Sequence, residues 1–174
     1  MPATRQDLMA RFDQLGIATR TTEHERVFTV AESSKIDRQI EGGHTKNLFL
    51  KDKKGRLFLV VALADATIDL KHIHQLVGAQ GRVSFGNGEL LEEVLGVSPG
   101  SVTPFALIND TQRRVTPVLD AQMMTFETLN YHPLSNDATT SITRDDLLVF
   151  IRSCGHEPQI IAVSEEAKEA AARL

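Results

Sequence analysis

Gly42-Gly43-His44-Thr45-Lys46-Asn47-Leu48-Phe49-Leu50-Lys51-Asp52-Lys53-Lys54-Gly55-Arg56-Leu57-Phe58-Leu59-Val60-Val61 is the stretch on which the fold turns. Two apolar runs flank a short polar turn, which predicts a β-hairpin. The Gly42-Gly43 pair before it allows a close backbone approach, and a ligand is the expected visitor. Lys46 stands at the mouth of the first strand, placed to meet a phosphate or a carboxylate. The competing reading is a solvated strand-end lysine.

On the N-terminal side, Thr4 is a cap for a helix through Leu15, with Leu8, Met9, Phe12 and Leu15 at helical spacing and Gly16 as the stop. Ile17 to Thr22 alternates as a short strand, and Thr29-Val30-Ala31-Glu32 is a capping box opening a second, short helix. On the C-terminal side, Asp69 caps a helix to Val77, and Gly88 to Leu95 forms another that stops at Gly96. Phe105 to Ile108, Arg114 to Leu119 and Thr125 to Asn130 read as three strands. Thr143 starts a helix with Leu147, Leu148, Phe150 and Ile151 on its apolar face, and Gln159 to Val163 is a closing strand. Strands that follow one another directly, with helices interleaved irregularly, predict an α/β fold: a curved, mixed, barrel-like sheet with helices packed outside. The 174 residues suit one domain, with 164–174 as a peripheral tail and frayed helix.

Composition narrows the function. A formal net charge of −4 argues against a protein that coats nucleic acid indiscriminately, so DNA is not an expected partner. Charge is unevenly spread: Lys46, Lys51, Lys53, Lys54 and Arg56 stand against Asp52 alone between residues 44 and 56. Such a stripe suits one docked polyanion better than a long duplex, although composition alone favours a charged turn that keeps a hairpin soluble. No apolar run approaches the roughly 20 residues that span a bilayer, and no signal region opens the chain, so a cytoplasmic location is expected. Cys154, the only cysteine, excludes an internal disulfide. His72 and His74 lie two apart on an expected helix and point to different faces, a poor start for a metal site. Dinucleotide, P-loop and nucleophile-elbow motifs are missing.

Three motifs in order carry a resemblance: Gly42-Gly43-His44-Thr45-Lys46-Asn47, Gly100-Ser101-Val102-Thr103-Pro104, and Asn130-Tyr131-His132-Pro133-Leu134-Ser135-Asn136. They resemble the prolyl-tRNA editing family, which comprises the insertion domain of bacterial prolyl-tRNA synthetases and its freestanding, YbaK-like relatives. The His-Pro-Leu-x-Asn run with Thr139-Thr140-Ser141-Ile142 looks like the freestanding branch. The resemblance implies hydrolysis of alanine attached to the proline tRNA, in trans, without metal, cofactor or covalent intermediate. Its implied partners are the acceptor end of that tRNA and prolyl-tRNA synthetase.

The resemblance also implies roles. Lys46 would contact the terminal adenosine's phosphate or ribose, and the backbone of the Gly100–Pro104 loop, with Ser101 and Pro104, would receive the amino group and carbonyl. His132 would line the pocket or serve as a structural histidine before a turn. His24, Val27, Phe28 and Thr29 fall where the family places part of its amino-acid pocket, and Asn47 would orient Lys46, bond substrate, or simply start the strand. Lys51, Lys53, Lys54 and Arg56 would steer the acceptor stem. Other readings stay open: a deacylase for a tRNA mischarged with cysteine, serine or threonine, or a non-catalytic module that binds tRNA or synthetase.

Overall fold

The computed structural model describes residues 1–26, 35–37 and 39–174. Helix α1 (Arg5–Leu15) begins in a reciprocal cap, the Thr4 hydroxyl accepting from the Asp7 amide and the Asp7 carboxylate accepting from the Thr4 amide. It stops at Gly16, whose φ of 69° is a left-handed conformation that glycine adopts without strain. Strand β1 (Arg20–Glu23) follows, and the expected hairpin is formed by β2 (Gly43–Lys51) and β3 (Leu57–Leu63). Its register runs from Thr45 opposite Leu63 to Lys51 opposite Leu57. Next come α2 (Ile73–Val77), β4 (Ser84–Phe85) and α3 (Gly88–Leu95), the last capped by the Asn87 side chain. Then β5 (Val115–Asp120), β6 (Thr128–Tyr131), β7 (Ala138–Thr143), α4 (Arg144–Ser153), β8 (Gln159–Ile161) and α5 (Glu165–Ala172) complete the chain.

The strands form one mixed sheet in the order β1-β7-β6-β2-β3-β5-β8, with β4 alongside β2. β2 joins its two halves. Gly43 and His44 pair in parallel with Leu129 and Asn130 of β6; farther on, Leu50 and Lys51 pair with Phe85 and Ser84 of β4. The strand therefore leaves β6 after His44, and the sheet splays there.

β3 is buried on both faces. Leu57, Leu59 and Val61 enter a large core with Phe12, Phe105 and Phe150, whereas Phe58 and Val60 enter a smaller one with Leu50, Ile73, Val77, Val118 and Val163. This double burial is why β3 reads as an unbroken apolar run rather than an alternating one. In the large core the Phe12, Phe105 and Phe150 rings meet with centroids 5.2–5.4 Å apart, each burial worth about 2–3 kcal/mol.

Three expectations need correcting, and one strand was not foreseen. Phe105 to Ile108 is not a strand but part of a 3-10 helix, Pro104–Asn109, started by Pro104 and the Thr103 hydroxyl. A short apolar run buried on all sides does not reveal its own period. The first strand begins at Arg20 rather than Ile17, because Ile17 is drawn into the large core. The helix after Asp69 starts only at Ile73, since the Asp69 carboxylate is engaged by the Lys71 amide and by His72 in a preceding turn. β7 lies in the quoted Thr139–Ile142 run, where polar residues on one face hid a strand. The capping box at Thr29 to Glu32 falls outside the described residues. The tail begins firmly: Asp120, fully buried, accepts from the amides of Val163 and Ser164 and from the Ser164 hydroxyl, and Ser164 in turn caps α5.

Candidate active site

Side chains paired across neighbouring strands share a face of the sheet. Arg20 pairs with Ser141 and Thr22 with Thr139; Ser141 and Thr143 then pair with Asn130 and Thr128, and Asn130 with His44. That face of β1–β7–β6 is polar throughout. The opposite face presents Leu129, Tyr131 and Ile142 to the large core. Two residues farther along β2, Lys46 lies on the same face as His44, and His132 follows directly after the end of β6, where the two strands part.

Lys46 is half-buried, and its ammonium donates to the carbonyl of Ala66. Of its three donors, two find no acceptor among the described residues. His132 is also half-buried, with Nδ1 3.1 Å from the carbonyl of Ala138. A carbonyl only accepts, so Nδ1 carries the hydrogen and Nε2 presents a lone pair. Burial, chiefly, and the nearby His24 push the His132 pKa below its ordinary 6.5, against the Ala138 bond and the attraction of Asp37 and Asp137. His132 is thus a neutral acceptor at neutral pH. His24 is held at both ring nitrogens: Nδ1 donates to the Glu25 carbonyl at 2.8 Å, and Nε2 lies 2.9 Å from the Thr139 hydroxyl.

The turn after His132 is held from two sides. Leu134 has a φ of 71°, a conformation costing a side-chain-bearing residue about 1 kcal/mol. Arg5 of α1 donates to the Ser135 hydroxyl and the Asp137 carboxylate, and Arg26 donates to the Asn136 side chain at 3.0 Å. The Ser135 hydroxyl, first, and then Arg5 and Arg26 hold the Asp137 carboxyl below its ordinary range, against burial. Gly100 abuts this turn: a Cβ there would stand 3.3 Å from the Asn136 amide nitrogen. Gly100 itself is exposed, whereas Ser101 and Pro104 are buried.

The structure thus gathers His132, His24 and Gly100 around one turn and sets Lys46 on the sheet face shared by His44 and Asn130. It separates others. Asn47 pairs with Val61 on the opposite face of β2, away from Lys46, and its Oδ1 is buried without a hydrogen-bond partner among the described residues. The close approach at Gly42-Gly43 is made by protein: a Cβ on Gly42 would meet Asn130 and Thr128 at 3.0 Å, and one on Gly43 would meet Leu129 and Phe126 at 3.1 Å. Lys51 lies five residues along β2 from Lys46, about 17 Å away. Lys53 and Lys54 extend beyond it as exposed side chains, while Arg56 donates to the Gly78 carbonyl and stacks over Phe58. Val27, Phe28 and Thr29 fall outside the described residues.

Arg5, Arg26 and Asn130 were not legible as residues supporting this region, because each acts through a partner distant in sequence. Beside the polar face lies a cavity of about 750 Å³ lined by Arg20, Thr22, Ser141 and Thr143 under Gln39 and Glu41. That is within the usual range for ligand sites. Burial pushes the Cys154 thiol up, against help from Ser153 and Arg11, which makes it a poor nucleophile. Among the described residues, no three His, Cys, Asp or Glu side chains gather as a metal site, and no helix is long and apolar enough to cross a membrane.

Comparison with known proteins adds an independent line. The sequence profile of the aminoacyl-tRNA editing domain matches residues 24–150. The chain is similar to prolyl-tRNA synthetase associated domain-containing protein 1 of Danio rerio, with 40% identity over 160 residues, 91% of this chain and 86% of that one. It is also similar to the prolyl-tRNA editing protein ProX of Acetoanaerobium sticklandii, with 35% identity over 153 residues, 87% of this chain and 93% of the other. The crystal structure of a candidate trans-editing enzyme for prolyl tRNA synthetase has the same fold, at a TM-score of 0.68 and 17% identity over 92% of this chain and 98% of that one.

Proposed function

The chain belongs to the aminoacyl-tRNA editing domain family, and from that premise we propose that it is a trans-acting deacylase that hydrolyses alanine esterified to the proline tRNA. The observation that carries the reading is that Lys46 and His132 each stand two residues beyond the paired His44 and Asn130, where β2 and β6 part, next to the turn that Gly100 abuts. An aminoacyl ester is already activated, so the protein need only hold it, aim a water and stabilise the developing oxyanion. Lys46 takes a phosphate or ribose oxygen of the terminal adenosine with its two remaining donors. The exposed backbone at Gly100 receives the amino acid, and the neutral His132 accepts a hydrogen bond at Nε2. Water adds to the ester carbonyl, the bond to the ribose oxygen breaks, and that oxygen leaves with the proton. The vicinal ribose hydroxyl activates the water, so no metal is required.

Alanine is the expected substrate because a site built for proline gains only about 1–3 kcal/mol against a side chain smaller by a methylene. A second, smaller site removes that error. Lys51, Lys53, Lys54 and Arg56, about 17 Å or more from Lys46, steer the acceptor stem, and prolyl-tRNA synthetase is the natural docking partner.

The decisive measurement is hydrolysis of the proline tRNA charged in turn with alanine, cysteine, serine and proline, with and without chelator. Rapid, chelator-insensitive loss of alanine alone is expected. Loss of another residue would keep the mechanism and change the substrate; no loss of any would leave a binding module.

A further inference from the structure

The carbonyl that holds Lys46 is itself held by the last helix. Ala66 lies in the turn after β3, and the next residue, Thr67, gives its amide to Glu166 Oε1 at 2.7 Å and its hydroxyl to Oε2 at 2.9 Å. The Glu165 amide returns a bond to the Thr67 carbonyl at 2.9 Å, and Ile68 pairs with Ser164. Three consecutive residues of α5 and its cap therefore grip the segment that carries the Ala66 carbonyl. α5 is anchored in turn through Ser164 to the buried Asp120. Glu166 is exposed, and neither the hairpin nor the large core needs it for packing.

We propose that Glu166 is a positioning residue for Lys46: its bidentate grip on Thr67 fixes the Ala66 carbonyl, and so the C-terminal helix sets where the ammonium of the active site stands. The proposal rests on the deacylase reading for its catalytic consequence, but not for its geometry. The Glu166 carboxyl is held below its ordinary range, first by the Thr67 amide and in smaller part by the charge of Lys46, which places the two side chains in one electrostatic neighbourhood. An ammonium is a compact charge on a flexible stem, so its usefulness at a phosphate depends on such an external hold.

The test is a double-mutant cycle on kcat/KM for alanyl-tRNA(Pro), with Glu166→Ala, Lys46→Ala and the pair. Glu166→Ala is expected to lower kcat/KM about tenfold in the native background and to have almost no effect once Lys46 is alanine. Glu166→Gln, which keeps an acceptor for the Thr67 amide, is expected to recover most of the loss. Penalties that multiply in the double variant would overturn the proposal, since Glu166 would then act elsewhere. Should the native protein hydrolyse no aminoacyl-tRNA, the deacylase reading fails, and acetylation of Lys46 by acetic anhydride, followed by mass spectrometry, decides the positioning role. Lys46 labelling several-fold faster in Glu166→Ala, with Lys53 as the internal reference, supports it; an unchanged rate overturns it.

Discussion

On the sheet face that carries Lys46, the β2–β3–β5 half presents Leu50, Phe58, Val60 and Val118 to Ile73 and Val77 of α2, while the β1–β7–β6 half presents Thr22, Thr139, Ser141 and Asn130. The first half is closed by burial. The second is organised by hydrogen bonds, with the Ser141 hydroxyl donating to Asn130 and the Asn130 amide reaching the carbonyls of Glu41 and Gly43. Buried polar groups such as Asn130 and Thr139 are tolerated there because neighbouring groups satisfy them. Lys46 stands at the seam, apolar neighbours to one side and imidazoles to the other. One sheet face thus divides into a part closed by apolar burial and a part organised by hydrogen bonds, beside which the proposed site lies.

The division can be broken by substitutions on either side. Phe58→Ala, at a site with no solvent exposure, is expected to cost about 3–5 kcal/mol in denaturant-induced unfolding. Activity per folded molecule should be retained, and its loss in well-folded protein would erase the distinction. Lys46→Ala is expected to do the reverse, lowering kcat/KM about 100-fold, roughly 2.7 kcal/mol of transition-state stabilisation, while shifting stability by about 1 kcal/mol or less. Full activity in that variant would remove the lysine from the mechanism.

The pH profile sharpens the comparison. Because burial holds the folded His132 pKa below 6.5, its neutral form persists under mildly acidic conditions, and the acid limb of kcat/KM should lie below 6.5. The stability sign is the same. The unfolded chain protonates His132 first as pH falls through 6.5, so the group's contribution is complete above that value and declines toward the lower folded pKa. His132→Asn should remove this acid limb; an identical profile in the variant would assign the limb to another group. The smallest effect belongs to the hairpin tip. Lys53→Ala with Lys54→Ala should raise KM about two- to fivefold at low salt and less as salt rises, leaving kcat alone. A salt-independent change in kcat would place these lysines in the chemistry rather than the approach.

Much of this was written locally in the chain. Thr4 with Asp7, Asn87 before α3, Thr143 before α4 and the glycines at 16, 78 and 96 mark helix ends because capping acts within four residues. The β2–β3 hairpin was legible for the same reason, a short turn between strands of strong β propensity. The Phe105–Ile108 error shows the limit, since an apolar run engulfed on every side carries no periodicity to read.

By itself, then, the sequence determined the hairpin, the ends of α1, α3 and α4 and the three motifs that point to an editing domain. Only the tertiary structure decided which strands adjoin. A strand's alternation records which side chains share a face but not which partner lies alongside, and pairing depends on the burial and bonding of the whole sheet. That is why Arg20 beside Ser141, Asn47 facing away from Lys46, and Glu166 gripping Thr67 from 99 residues away emerge only in the fold. The candidate site is the product of those long-range pairings, which bring the end of β6, just before His132, alongside the start of β2, just before Lys46.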